Sequence, residues 1–377
     1  MDTSLFGIDS HGAEDEGEGN ATYTRQLISA LFRGPGSDDF ALFARNPAHP
    51  FYRTLPPRGG SRVARTVQGK GVGRVGWALA GAAAAARVDA LHVQYFAPLW
   101  CRNPLVVTIH DLAFLHLPES FPPGLRMALR VLVAHSVRRA SRVITASEWS
   151  RRDIEARYPA RRAGITVIPQ GVDSRFHPRA AEETKRVLGR YGLEPGFLFS
   201  VGRLNLRKNL ARLLRAYARL REGGAASAPL VISGKPDYGY EAPPLSARID
   251  AATTGVHWMG LIPDEDLPAF YTGAAAFVYP SLFEGFGLPV LEAMACGTPV
   301  VASDRTSLPE LIGSAGLSVD AGSVEALTQA IARVLGDQAL AEDLRHRGLE
   351  RSRRFSWDET ARRTLAVYRE VGQTGRE

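Results

Sequence analysis

The chain has 377 residues, of which 45% are hydrophobic and 23% charged, the composition of a soluble globular protein. This length exceeds what one hydrophobic core supports comfortably, so we expect two domains. The net charge is +7, but no nucleic-acid-binding pattern accompanies it, and we expect no nucleic-acid partner. Cys101 and Cys296 are too few and too far apart for a disulfide framework or a metal knuckle, which favours a reducing cytoplasm.

The first residues do not place a basic region before an apolar run, so we expect no signal peptide. The longest weakly apolar run, residues 77–86, is mostly alanine and too short to span a bilayer. Both observations predict a cytoplasmic protein.

Strands and helices alternate along the chain, and the alternation begins a second time near residue 197. In the first half the predicted strands are 5–8, 90–94, 105–109, 143–146 and 166–168, with helices starting at Thr22 and Gly124. In the second half the predicted strands are 197–201, 230–233, 256–258, 275–279 and 300–302, with a helix starting at Leu210. Two such runs predict an α/β protein with two doubly wound, Rossmann-like parallel sheets. Because ligands bind at the carboxyl ends of parallel strands, we expect a site in a central cleft between the two domains.

Two segments frame the second half. Residues 177–195 are polar, contain two prolines and are predicted to connect the domains. Ser356 to Glu359 has the form of a capping box ahead of an amphipathic helix with Ala361, Leu365 and Tyr368 on one face.

Residues 279–301 form the most informative segment. A strand runs into a glycine turn, Pro289 is placed to open a helix, and the helix stops at Gly297 before the next strand. The loop exposes backbone N–H groups at a helix N-terminus, which suits a phosphate. Glu284 in the turn and Glu292 in the expected first helical turn can accept hydrogen bonds from hydroxyls. A phosphate-bearing polyol, such as a nucleotide sugar, is therefore the predicted ligand.

The spacing of Glu284 and Glu292, with Gly-Phe-Gly-Leu-Pro between them, resembles the E-x7-E motif of the family-4 retaining glycosyltransferases, which have the GT-B fold. Residues 108–114, 167–173 and 201–210 resemble three further landmarks of the mannosyltransferase-like bacterial members, and the resemblance covers nearly the whole chain. It implies an acceptor-side domain at 1–178, completed by a crossing helix at 357–377, and a nucleotide-sugar-binding domain at 179–356.

The resemblance also implies roles for individual residues. Arg203 and Lys208 would neutralise the donor diphosphate, Glu284 and His110 would lie by the donor sugar, and Glu292 would bind the ribose hydroxyls. The amides of the glycine turn would hold phosphate or sugar oxygens; they belong to Gly285, Phe286, Gly287 and Leu288. Arg207 is expected to be a surface neighbour, and Asp111 to orient His110 or cap the next segment.

The loop after the first strand is a second expected ligand contact, with Gly19 as its main candidate and Asn20 as a weaker one. This chain has Gly19-Asn20 where the family more commonly has Gly-Gly. The loop is also unusually acidic; its acids are Glu14, Asp15, Glu16 and Glu18. Because these charges would repel a diphosphate, we expect them to point to solvent in a mobile flap.

Several residues have simpler explanations. His110 could be a satisfied core histidine, and Glu292 could stabilise a helix N-terminus without a ligand. A glycosidase role for Glu284 and Glu292 is disfavoured, since the two catalytic carboxylates of a glycosidase face each other across the scissile bond. Asp264 to Asp266 imitates an Asp-x-Asp metal motif, but helix capping explains it better. We expect no metal and no cofactor beyond the nucleotide-sugar co-substrate.

The predicted function is retaining transfer of a sugar onto a glycan or lipid-linked acceptor in cell-surface polysaccharide biosynthesis. Residues 110–119 are similar to members that use GDP-mannose, which favours that donor over UDP-sugars. A non-hydrolysing sugar-nucleotide epimerase of the GT-B fold and a catalytically silent sugar-nucleotide-binding module stay open as alternatives. Residues 126–162 hold ten Arg against three acids, with Leu125, Leu129, Leu132 and Val133 in the same region. This pattern favours peripheral contact with anionic lipid at the inner face of the membrane as much as it favours a solvated helix.

Overall fold

The computed structural model describes residues 4–15, 19–65, 77–159, 163–223, 228–237 and 255–374. The chain divides into two compact units. The first comprises Met1–Leu112, Gly124–Gly171 and Ser356–Glu377, and the second comprises Ala113–Pro123 and Val172–Phe355.

The first unit is built on a seven-stranded parallel sheet with the order β3-β2-β1-β4-β5-β6-β7. Its strands are β1 Leu5–Asp9, β2 Asp39–Ala44, β3 Arg62–Arg65, β4 Ala90–Gln94, β5 Leu105–Thr108, β6 Arg142–Thr145 and β7 Gly164–Val167. The helices of the chain as far as residue 157 are α1 Gly19–Arg33, α2 Pro50–Arg53, α3 Leu79–Ala86, α4 Ala113–His116, α5 Pro123–Arg139 and α6 Glu148–Arg157. The central strands are buried along almost their whole length, as expected for a parallel sheet covered on both faces.

The second unit contains a six-stranded parallel sheet with the order β10-β9-β8-β11-β12-β13. Its strands are β8 Phe197–Val201, β9 Leu230–Ser233, β10 Val256–Gly260, β11 Ala274–Tyr279, β12 Val300–Ser303 and β13 Leu317–Val319. The remaining helices among the described residues are α7 Ala181–Gly189, α8 Leu210–Glu222, α9 Leu267–Gly273, α10 Leu288–Ala295, α11 Leu308–Ile312, α12 Val324–Gly336, α13 Gln338–Ser352 and α14 Trp357–Thr374. The prediction of two doubly wound parallel sheets is therefore confirmed.

The last helix, α14, belongs to the first unit. It begins with the predicted cap, since the Glu359 N–H donates to Ser356 Oγ at 3.2 Å. Its apolar face is buried, and Tyr368 on that face is 1% exposed, with its hydroxyl 2.5 Å from His92 Nδ1 on β4. The helix thus contributes both apolar surface and a polar contact to the core of the first unit.

The segment Ala113–Pro123 packs with the second unit, although it lies between strands of the first. The His116 ring stacks on Phe283 with 5.1 Å between ring centroids. Phe283 directly precedes Glu284, so this segment borders the glycine turn.

Three strands were not predicted. β3 and β13 are short edge strands, and β3 has arginine at both ends, which hides the pattern of a strand. β2 is an apolar, almost fully buried strand that the sequence analysis overlooked. Among the described residues, none of the helices is both long and apolar enough to cross a membrane.

Candidate active site

A buried ion pair lies at the carboxyl ends of β8 and β11 in the second unit. Lys208 ends a short 3-10 helix, Leu206–Lys208, that follows β8, and Glu284 follows β11. Lys208 Nζ is 2.6 Å from Glu284 Oε1, and the two side chains are only 11% and 10% exposed. Nζ also donates to the Tyr279 hydroxyl and lies 4.6 Å from the centroid of the Tyr279 ring. The fold therefore brings together two residues that are 76 positions apart.

Glu284 is held by further hydrogen bonds. Ser281 Oγ donates to Oε1 at 2.6 Å, and the Glu284 N–H donates to Thr306 Oγ1 at 2.9 Å. The single hydroxyl proton of Ser307 is shared between the carbonyls of Glu284 and Phe286, at 2.9 and 3.0 Å from Oγ. Burial by itself would raise the pKa of the Glu284 carboxyl, but the charges of Lys208 and Arg207 and the hydrogen bonds hold that pKa below its usual value. Glu284 is thus an ionised carboxylate in a mostly dry environment.

The position of Lys208 is fixed by its neighbours on the chain. Asn209 has a left-handed backbone (φ 57°), and its Nδ2 donates to the carbonyls of Pro280 and Ala321 at 3.0 and 2.8 Å. The Arg207 carbonyl accepts from the Leu282 N–H and lies 3.1 Å from Ser281 Oγ, whose proton goes to Glu284. These bonds tie the Lys208 segment to the loop after β11, so the main chain of Arg207 helps to hold the site in place.

The glycine turn leads directly into α10. Gly287 precedes the helix with φ +109°, and a Cβ there would lie 2.7 Å from Leu308 Cδ2, so this position requires glycine. Pro289 opens the helix as predicted. Phe286 is buried, with its ring packed 5.9 Å from that of Phe355. The N–H groups of the first turn of a helix have no acceptor within that helix, which suits an anion.

Glu292 differs from the prediction. It is the fifth residue of α10, beyond the first turn, and Oε2 accepts a hydrogen bond from the Tyr271 hydroxyl at 2.8 Å. The helix dipole therefore does not explain this carboxylate, since that effect is confined to the first turn. Burial raises the pKa of Glu292 to about 7, and the hydrogen bond from Tyr271 offsets only part of this shift.

Arg203 pairs with a residue outside the Lys208–Glu284 cluster. Its guanidinium lies 3.1 Å from Asp237 Oδ2, and both side chains are partly exposed, at 41% and 30%. Gly202, directly before it, has φ +143°, and a Cβ there would lie 3.2 Å from Lys208 Cε. The backbone at Arg203 is thus close to Lys208, while its side chain contacts Asp237.

His110 lies in the first unit and is 7% exposed. Its Nε2 is 2.9 Å from Gln94 Oε1, and its Nδ1 is 3.3 Å from Gln170 Nε2. The ring packs edge-on against Tyr23, with 4.6 Å between centroids. Burial lowers the pKa of His110 to about 4, so the imidazole is neutral at physiological pH.

The acidic loop after β1 does not point uniformly to solvent. Glu14 has a side chain only 5% exposed; it accepts from the Arg45 N–H at 2.7 Å and from the Tyr52 hydroxyl at 3.1 Å. Asp15 lies 2.6 Å from the Arg45 guanidinium. The expectation of a solvent-facing flap is therefore wrong for Glu14, because Arg45 neutralises it, while Glu16 and Glu18 lie outside the described residues. Gly19 is the exposed first residue of α1.

The acidic string at 264–266 is used in ion pairs. Asp266 stands before α9 but makes no side-chain capping bond, so the capping explanation is wrong in its detail. Instead it accepts from Arg190 and from the Tyr191 hydroxyl, both at 2.6 Å, while Asp264 lies 3.6 Å from Arg175. Within the part of the chain that the structure describes, there is no cluster of three or more acidic, His or Cys side chains that could hold a metal.

Comparison with known proteins gives the family. The family model described as Glycosyltransferase Family 4 matches residues 18–176, and the one described as Glycosyl transferases group 1 matches residues 182–351. The chain is 37% identical over 269 residues to the O-antigen chain mannosyltransferase B of Escherichia coli, covering 70% of each protein. The chain belongs to glycosyltransferase family 4.

Solved structures agree on the fold of this glycosyltransferase. Sucrose-phosphate synthase from Thermosynechococcus elongatus matches with a TM-score of 0.75 at 23% identity, covering 99% of this chain and 100% of that one. HepE of Anabaena, solved in complex with UDP-glucose, matches with a TM-score of 0.71 at 19% identity, covering 98% and 100%. Both support the GT-B architecture.

Part of the polar environment of Glu284 was not predicted. Tyr279 and Ser281 lie at the end of β11, and Thr306 and Ser307 follow β12, its neighbour in the sheet. Because the carboxyl ends of adjacent parallel strands meet at one edge, the polar residues after residue 302 could have been predicted to contact Glu284.

The glycosyltransferase should depend on the Lys208–Glu284 pair for stability even without substrate. We expect Lys208→Met and Glu284→Gln each to lower the Tm of the second unit by roughly 5–10 °C, because each leaves a buried charge without its partner. The double variant should lose less than the sum of the two singles. Differential scanning calorimetry without nucleotide measures all three.

The exposed pair Arg219–Glu325 of the same unit is the matched control, with side chains 55% and 61% exposed. Arg219→Met and Glu325→Gln should shift Tm by only about 1 °C, since water already screens these charges. Equal losses for the buried and the exposed pair would contradict the role given to burial.

Proposed function

We propose that this glycosyltransferase transfers a hexose from a nucleoside-diphosphate sugar with retention of the anomeric configuration. The observation that carries the proposal is the buried Lys208–Glu284 pair at the carboxyl ends of β8 and β11, beside a glycine turn that opens α10. This edge of a parallel sheet is where such folds bind nucleotides, and the cluster supplies a cation, a carboxylate and main-chain donors.

Each group of the cluster has a chemical task in this proposal. Lys208 and the amides of the glycine turn stabilise the negative charge that develops on the departing diphosphate. Glu284, ionised and rigidly held, accepts hydrogen bonds from hydroxyls of the donor sugar, and Glu292 accepts those of the ribose. The ionised state of Glu284 matters because a carboxylate only accepts, whereas a neutral acid would also donate.

The transfer step is proposed as substitution on one face of the sugar. The bond from the anomeric carbon to the diphosphate oxygen breaks, and the bond to the acceptor oxygen forms on the same face. The acceptor proton passes to the leaving phosphate, which balances the charge without a separate base. Lys208 lowers the free energy of the transition state, because its positive charge stabilises the negative charge that develops on the leaving diphosphate.

We propose mannose from GDP-mannose as the donor and a glycan or lipid-linked acceptor of cell-surface polysaccharide synthesis. Similarity to an O-antigen chain mannosyltransferase supports the sugar and the pathway. The structural likeness to a protein solved with UDP-glucose supports nucleotide-sugar binding in general.

Peripheral contact with an anionic membrane is the last part of the proposal. On α5, Leu125, Met127 and Val131 are 47%, 59% and 61% exposed, and Arg130 beside them is exposed as well. Exposed apolar side chains among arginines suit a bilayer surface with anionic head groups. Leu129 and Val133 were expected to belong to this apolar surface but are buried in the first unit.

For the transfer reaction, we expect Lys208→Ala and Glu284→Gln each to lower kcat/KM by about 10²–10³, because each removes an interaction with the donor's charge or hydroxyls. Release of nucleotide from GDP-mannose with a mannose-containing acceptor measures this loss. Lys185→Ala, which truncates an exposed lysine on α7, is the matched control and should retain the wild-type rate. Near-full transfer by both site variants, with folding intact, would show that the roles are misassigned. Incubation with donor alone tests the epimerase alternative, which predicts a new nucleotide sugar without acceptor.

For the donor, we expect GDP to raise Tm more than UDP at equal concentration, because a ligand stabilises the state that binds it. Lys208→Met should abolish most of the shift relative to its own unliganded Tm. A larger shift with UDP would indicate a UDP-sugar rather than GDP-mannose as the donor. The absence of a shift with either nucleotide would refute the proposed binding site.

For the membrane, we expect the protein to co-sediment with vesicles that contain phosphatidylglycerol and not with pure phosphatidylcholine. Met127→Glu with Val131→Glu should weaken this binding by roughly tenfold or more, since it removes apolar contacts and adds repulsion. Leu261→Glu, at a 64% exposed leucine of the second unit, is the control and should bind as wild type. Equal binding by all variants would remove α5 from the proposal.

A further inference from the structure

The side chain of His110 lies between two glutamines in the first unit. Gln94 Oε1 is 2.9 Å from Nε2, and Gln170 Nε2 is 3.3 Å from Nδ1. Gln170 is 6% exposed, so neither ring nitrogen of His110 depends on bulk water for a partner. The amide nitrogen of Gln94 extends this series of hydrogen bonds, since Nε2 lies 2.6 Å from Thr24 Oγ1.

The donor and acceptor of every hydrogen bond in this series follow from the contact at its end, between Thr24 and the Asn20 carbonyl. Thr24 Oγ1 lies 2.7 Å from the carbonyl of Asn20 in the first turn of α1, and a carbonyl only accepts. The Thr24 hydroxyl must therefore donate there and accept from Gln94, which requires the amide nitrogen of Gln94 to face Thr24. The amide oxygen of Gln94 then faces His110, so Nε2 must carry the proton, and Nδ1 accepts from Gln170.

We propose that Gln94 and Gln170 are positioning residues of this glycosyltransferase, which with Thr24 hold His110 in the Nε2-protonated tautomer and fix the plane of its ring. The inference rests on the proposed function, because the imidazole matters to transfer only if His110 meets the donor sugar. His110 then brings no charge to the reaction; it offers one donor and one acceptor in fixed directions. The same bonds connect His110 to the start of α1, beside Gly19.

The surroundings of His110 reinforce this neutral state. The rings of Tyr23 on α1 and Tyr95 after β4 contact His110, at 4.6 and 5.6 Å between centroids, and burial raises the pKa of Tyr23 to about 12. His92 on β4 is buried as well, and burial lowers its pKa to about 3. Asp111, next on the chain, is partly exposed. A carboxylate in place of the Gln94 amide would therefore add a negative charge directly beside the His110 imidazole.

The test is Gln94→Glu, which keeps the size of the side chain and adds a charge. The new carboxylate accepts from Nε2, and the Thr24 hydroxyl can turn to donate to it. We expect the pKa of His110 to rise by about two units, because an adjacent anion favours the imidazolium. Nitrogen-15 chemical shifts of the labelled histidines, followed between pH 4 and 8, report both the tautomer and the titration.

The activity of the same variant separates positioning from mere packing. If transfer requires the neutral imidazole of His110, the acid limb of the kcat/KM profile of a folded Gln94→Glu protein should move to higher pH. The displacement should equal the rise in the pKa of His110, about two pH units. A change in packing alone would lower the rate at all pH values without moving the limb.

His92 is an internal control in every sample. Its partners, Thr108 and Tyr368, are untouched by Gln94→Glu, so His92 signals that stay neutral and dispersed show that the first unit is folded. A wild-type His110 protonated on Nδ1 would overturn the inference, as would an unchanged His110 titration in a folded Gln94→Glu protein. These spectra need no donor or acceptor. A failure here is therefore distinct from a failure of Lys208 and Glu284 to matter for transfer.

Discussion

The stability of the second unit depends on how two opposite charges are accommodated in its interior. Lys208 and Glu284 are nearly 90% buried, and a buried charge is tolerated only when it is paired and its hydrogen-bonding capacity is met. The surrounding loops provide this: Ser281 donates to the carboxylate, Asn209 anchors the segment of the lysine, and Thr306 accepts from the Glu284 N–H. Three loops from three strands must therefore adopt one arrangement together, and the charged groups are positioned before any ligand arrives.

Around His92 and His110, the first unit satisfies its buried polar side chains with neutral groups. His92, His110, Tyr23 and Tyr368 are all buried, and hydrogen bonds rather than opposite charges satisfy the two imidazoles. Burial lowers the pKa of each of these histidines and raises that of each tyrosine, so all four groups are uncharged near pH 7. The two clusters thus differ in kind: the one around Lys208 carries fixed charge suited to a diphosphate, and the one around His110 carries fixed hydrogen-bond directions suited to hydroxyl groups.

The sequence was sufficient for the architecture and for the residues at strand ends, because both follow from local rules. Apolar runs separated by helix patterns predicted most of the strands, and the rule of carboxyl ends placed Lys208 and Glu284 at one sheet edge. It was not sufficient for partners that depend on side-chain packing between distant segments. Arg45 neutralising Glu14, Tyr271 donating to Glu292 and Asp237 pairing with Arg203 each join residues at least 21 positions apart. No periodicity in the sequence records such a contact.

The two basic residues that were assigned one task are held in different ways, and the difference bears on how charge reaches a ligand. The Arg203–Asp237 pair is partly exposed, and exposed pairs of this kind contribute roughly 0–1 kcal/mol, so a diphosphate could replace Asp237 as the partner of Arg203 at little cost. The Lys208–Glu284 pair is buried, and removing one partner from such a pair costs about 3–5 kcal/mol. Lys208 should therefore keep Glu284 as its neighbour when a ligand binds, while Arg203 exchanges partners. Under the proposed function, the fixed lysine would set where the phosphates lie, and the arginine would adjust to them.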